Sequence, residues 1–126
     1  MKNEVKLLNV KLDNVSFDQA LDRVKEYLRG DKQNYIVTPN PEIILHANKD
    51  EHYRSILNLA DLAIPDGIGL KIASLGRIRH RVTGTDLMYA ILKHAEEQKL
   101  KVYGIIRKGG LSTKEEIMVM MHKRYP

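Results

Sequence analysis

Four short apolar runs punctuate the chain, at residues 5–10, 35–38, 62–65 and 102–106, and an amphipathic segment follows each. That alternation constrains the fold most. Strands in one direction need long crossovers between them, and helices are the usual crossover, so the pattern predicts parallel strands flanked by helices. The run Leu62, Ala63, Ile64, Pro65 is apolar throughout, as expected of a strand buried on both faces.

The helix starts are marked locally. Ser16-Phe17-Asp18-Gln19 fits a capping box, in which the Ser hydroxyl accepts from the third helical N–H and Gln19 reaches back. Ala20, Leu21, Val24, Tyr27 and Leu28 then share one helical face, and Gly30 ends the helix. Asn40-Pro41-Glu42 opens the next, with Asn as cap and Pro at the first helical position. Its pattern breaks near residues 48–50 and resumes through Tyr53, Ile56 and Leu57. Asp66-Gly67 turns the chain into residues 68–75. Thr85 or Asp86 is expected to cap a long helix through Leu87, Ala90, Ile91, His94 and Ala95. Gly109-Gly110 is a turn, and Ser112-Thr113-Lys114-Glu115 reads as a second capping box opening a helix to about Arg124. The predicted order is β-α-β-α-α-β-α-α-β-α, an α/β Rossmann-like parallel sheet flanked by helices, in a single domain spanning residues 1–126.

Composition excludes several classes. With 126 residues, 43% apolar and 29% charged, the chain has the makings of one ordinary core and is neither fibrous nor charge-dominated. There is no cysteine, hence no disulfide or cysteine-ligated metal, which fits a reducing compartment. No apolar run approaches a membrane span, and the start at Met1-Lys2-Asn3-Glu4 is too charged for a signal peptide, so a cytoplasmic protein is expected. Charge is uneven. Residues 1–76 carry 10 Lys/Arg against 11 Asp/Glu, residues 77–126 carry 11 against 5, and the basic half suits a phosphate, a nucleic acid or an anionic membrane surface.

In open α/β sheets, ligands bind beyond the carboxyl ends of strands. Two junctions there are rich in chemistry: Thr38-Pro39-Asn40-Pro41-Glu42 and Pro65-Asp66-Gly67-Ile68-Gly69. On one sheet edge, Thr38, Asn40 and Asp66 would meet one ligand. Asp66 follows a wholly apolar strand, where partial burial makes a carboxylate a better base. The bland reading is that Asn40 is a cap, Asp66-Gly67 a turn pair and the prolines punctuation.

Together with Leu59-Ala60-Asp61 through Gly69 and with Arg81-Val82-Thr83-Gly84-Thr85-Asp86-Leu87, these motifs resemble the WecG/TagA/CpsF glycosyltransferases, and the likeness covers nearly the whole chain. The resemblance implies an inverting, metal-independent transfer, without a cofactor, of an N-acetylmannosamine-like sugar. The donor is a UDP-sugar and the acceptor a polyprenyl-diphosphate-linked GlcNAc, in wall teichoic acid or other surface-polysaccharide synthesis. It assigns Asp66 as the catalytic base and Thr38, Asn40, Gly67 and Arg81 to the substrate pocket. Peripheral contact with the inner face of the cell membrane follows from the lipid-linked acceptor. Family members are longer than this chain, so a missing second half or homo-oligomer formation is expected. The alternative is a non-catalytic domain that binds a nucleotide sugar or a partner.

Other motifs fail. The stretch from Gly104 to Ser112 superficially resembles a P-loop, but Gly110 stands where its Lys belongs and Leu111 where its Ser/Thr belongs. Gly109-Gly110 before a capped helix remains open as a diphosphate cradle. The five histidines show no HExxH spacing, and no GxSxG is present. Basic residues are not interleaved with aromatics, which argues against nucleic acid as partner. Met118, Met120 and Met121 read as core filler or as a face another chain covers.

Overall fold

A computed structural model describes residues 3–125; Met1, Lys2 and Pro126, used in the sequence reading, lie outside the described residues. The element order is β1 (Glu4–Leu7), β2 (Val10–Asp13), α1 (Phe17–Arg29), β3 (Ile36–Val37), α2 (Pro41–Lys49), α3 (Glu51–Asn58), β4 (Leu62–Ala63), α4 (Ile68–Ala73), α5 (Gly84–Glu97) and α6 (Lys114–Arg124). The fold is mixed α/β. The chain divides into two compact units, Met1–Leu87 and Met88–Pro126.

The first unit departs from expectation at its start. The run at 5–10 is not one strand but a hairpin, with β1 and β2 antiparallel in the register Val5↔Leu12 and Leu7↔Val10. Leu8 and Asn9 both take left-handed backbone, φ 47° and 63°, as a two-residue turn between twisted strands requires. Alternation then sends Val5, Val10 and Leu12 into the core, where they join Ile44, Ala47, Leu57, Leu70 and Ile78. Both local start signals act as read. Ser16 and Gln19 exchange capping hydrogen bonds at 3.2 and 2.9 Å, and Asn40 Oδ1 accepts from the Ile43 N–H at 2.9 Å.

Parallel pairing is present between β3 and β4, with Ile36 opposite Leu62 and Val37 opposite Ala63. Each strand is only two residues long, and among the described residues this is the only parallel ladder. Backbone bonds extend the pairing at both ends. The Asp61 N–H donates to the Tyr35 carbonyl, Ile64 to Val37 and Asp66 to Pro39, at 3.1, 2.9 and 2.8 Å. Asp13 ties the hairpin to this pair, accepting from the Ala63 N–H at 2.9 Å and from Arg23 of α1 at 3.0 Å.

The helix caps after residue 80 lie elsewhere than read. Thr83, not Thr85 or Asp86, caps α5, its Oγ1 accepting from the Asp86 N–H at 3.1 Å. The second capping box is Thr113 with Glu116, one residue beyond the Ser112–Glu115 pairing expected. In the second unit, residues 102–106 form no strand, and all are exposed. The run is apolar enough for a buried strand, but ladder hydrogen bonds define a strand, and among the described residues nothing supplies them. Gly104 in its middle adds no packing. At the end of this unit Tyr125 Oη donates to the Tyr89 carbonyl at 3.4 Å, and the Arg124 guanidinium lies 4.4 Å from the Tyr89 ring centroid.

Candidate active site

The three motif segments meet in the first unit, at the carboxyl ends of β3 and β4. The Asp66 N–H bonds the Pro39 carbonyl, so the two strand-end loops leave the sheet stitched together. Gly84 packs on Thr38 so closely that a β-carbon there would stand 2.9 Å from Thr38 Cγ2 and 3.1 Å from its Cβ. Gly69 approaches Pro41 in the same way, at 3.0 Å from Cγ. These two glycines let backbone approach where a side chain would hold it off.

Each expected site residue has a definite place. Thr38 is half-buried under the start of α5, and Pro39 behind it is fully buried. Asn40 uses its side-chain oxygen to cap α2, so its structural role is directly visible. Gly67 adopts φ 94°, a conformation that L side chains rarely take, and this turns the chain directly after Asp66. Arg81 and Gly67 border one shallow cleft together with Pro65, Ile68, Lys71, Ile78 and His80. Asp66 lies in sequence between two of the residues that line it.

The Asp66 carboxylate differs from its neighbours. Asp13 and Asp61 are ion-paired and accept backbone N–H groups, and Asp50 caps α3. Asp66 is half-buried, and among the described residues no donor bonds its carboxylate. A carboxylate held by its own backbone but left free at its oxygens is suited to accept a proton from a substrate. Among the described residues no group of three or more His, Asp or Glu side chains is placed to hold a metal ion.

Sequence reading missed the support behind Arg81. Two buried polar residues hold the segment leading to it. Ser74 Oγ accepts from the Ile78 N–H at 3.0 Å and donates to the Lys71 carbonyl at 2.8 Å. Asn14, distant in sequence, donates to the Arg77 carbonyl at 3.0 Å and accepts from the Arg79 N–H at 2.9 Å. It also passed over Lys71 and His80 as cleft residues. The available signal for Lys71 was its spacing, four residues after Gly67 and therefore one helical turn along the same face.

Comparisons with known proteins identify what the chain is similar to. The model of the glycosyl transferase WecG/TagA/CpsF family matches residues 5–124. An N-acetylglucosaminyldiphosphoundecaprenol N-acetyl-beta-D-mannosaminyltransferase of Staphylococcus aureus (strain MRSA252) is 31% identical over 98% of this chain and 50% of its own. The Bacillus spizizenii protein of the same name is 38% identical over 61% of this chain and 31% of its own. The chain spans about half the length of the Staphylococcus relative it matches.

Proposed function

The chain belongs to the WecG/TagA/CpsF family of glycosyl transferases, and on that premise we propose that it carries the catalytic base of an N-acetylmannosaminyl-type transfer. The donor is a UDP-sugar and the acceptor a GlcNAc on a polyprenyl diphosphate, as the names of the relatives suggest for the acceptor. Asp66 takes the proton of the acceptor hydroxyl as that oxygen attacks the anomeric carbon and UDP departs from the opposite face, so configuration inverts. A positioned base contributes roughly 10²–10⁴ in rate. Arg81 meets the charge that develops on the leaving diphosphate, in a reaction that uses no metal and no cofactor. Thr38, Asn40 and Gly67 shape the pocket wall.

The observation that carries this reading is the junction of all three motifs at one strand edge, with a free, half-buried carboxylate in the middle. In this reading residues 1–126 belong to one domain, and the β3–β4 pair is part of a larger Rossmann-like parallel sheet. The product serves surface-polysaccharide synthesis such as teichoic acid linkage, at the inner face of the membrane. No helix among the described residues is long and apolar enough to cross a membrane.

A second reading has an observation of its own. The chain spans about half the length of the Staphylococcus relative, and the alternative is a non-catalytic domain that binds a nucleotide sugar or a partner. The test is UDP release from UDP-N-acetylmannosamine, with and without a short-chain lipid-diphosphate-GlcNAc. Acceptor-dependent release by the folded chain supports the transferase. UDP binding without release supports the binding domain, and sedimentation then reports whether it self-associates.

A further inference from the structure

Two cationic side chains and a histidine border the cleft near Asp66, and none has a carboxylate partner among the described residues. Lys71 comes from α4, and His80 and Arg81 from the extended segment that follows it. Arg23, Lys32 and Arg54 each have a carboxylate within 4.0 Å; Lys71, His80 and Arg81 have none. No acidic residue lines the cleft, whose remaining wall is Pro65, Gly67 and two isoleucines. Like charges gathered on an apolar floor repel one another unless an anion sits between them.

The cluster is also built rather than loose. Ser74 is fully buried and holds the Lys71 carbonyl and the Ile78 N–H. Asn14, 8% exposed, holds both neighbours of Ile78 through the Arg77 carbonyl and the Arg79 N–H. These bonds fix the backbone on both sides of the cleft, so the exposed cations project from a rigid frame. A lysine offers three donors, an arginine a planar fork, and histidine at least one N–H in either protonation state. That donor set matches two linked phosphates better than one carboxylate.

We propose that Lys71 and His80 act with Arg81 as a diphosphate subsite. Resting on the transferase reading above, this is where the diphosphate of the nucleotide-sugar donor sits, on a cleft whose wall includes both chain neighbours of the base, Pro65 and Gly67. The test uses inorganic pyrophosphate and UDP as separate calorimetric titrants on the folded chain, with Lys71→Ala, His80→Ala and Lys71→Arg. Each loss of a donor is expected to weaken both titrants about three- to tenfold, and Lys71→Arg to retain binding. Raising the salt should weaken them too, because the contacts are exposed. Both side chains are exposed, so melting temperatures should not move.

Pyrophosphate that binds Lys71→Ala and His80→Ala as tightly as wild type, or fails to bind the wild type, overturns the subsite. The two readings fail separately. Sugar transfer with pyrophosphate binding indifferent to Lys71 and His80 leaves the transferase without this subsite. Pyrophosphate held through Lys71 and His80 without any UDP release leaves the subsite without the transferase.

Discussion

Strand β4 has an aspartate at each end, and the two are treated oppositely. Asp61, before the strand, is held by Lys32 at 2.8 Å and by the Tyr35 N–H at 3.1 Å, while its own carbonyl accepts from Tyr27 Oη. Lys32 foremost, then Asn34 and the Tyr35 N–H, hold its pKa down to about 2. Asp66, after the strand, has its backbone N–H bonded, while among the described residues no donor bonds its carboxylate. The same residue type is a fastener at the amino end and carries an unbonded carboxylate at the carboxyl end, the one proposed as base. The difference lies in the donors around each, since both strand ends are equally well paired.

The sharpest structural blow to the carboxyl end is Gly84→Ala. The new methyl meets Thr38 Cγ2 and Cβ together, and a threonine held at the strand end has little room to move. A loss of about 2–3 kcal/mol in urea unfolding is expected, with transfer falling further than stability explains. Full stability in this variant would show that the two segments do not meet as described. Asn14→Ala comes next. It orphans the Arg77 carbonyl and the Arg79 N–H, and should cost about 1–2 kcal/mol by the same measurement.

At the amino end the expected effect is pH-dependent. Because the folded pKa of Asp61 lies below its unfolded value, its contribution is fully present above about pH 4 and is lost as the pH falls towards about 2. Asp61→Asn should lower the melting temperature at neutral pH and flatten that part of the acid profile. An unchanged profile would remove the fastener from the account. The smallest effect is expected away from both ends. Leu8→Gly relieves a left-handed leucine in the hairpin turn and should raise stability by up to about 1 kcal/mol, without touching activity.

What could be read from the sequence was what is decided within a few residues. The Ser16–Gln19 box, the Asn40 cap and the Gly30 stop depend on neighbours three or four positions away, and all three stand. So do the apolar burial of residues 62–65 and the placing of Thr38, Asn40 and Asp66 at adjoining strand ends. Partners distant in sequence were not legible. The hairpin escaped notice because Leu8 gives no turn signal, and its left-handed backbone is imposed by pairing between flanking strands. Residues 102–106 show the converse, since their apolar run promises a strand that only a ladder partner could complete. Asn14 looks like any loop asparagine until its partners 63 and 65 positions away are seen.

The most direct measurement runs Asp66→Asn and Asp61→Asn side by side, following acceptor-dependent UDP release and thermal melting in the same preparations. The account predicts that Asp66→Asn loses roughly 10²–10⁴ in rate while melting like the wild type. Asp61→Asn should melt lower yet retain the rate of the wild type in its folded fraction. Equal loss of activity in both, or an active Asp66→Asn, would contradict the assignment of the base.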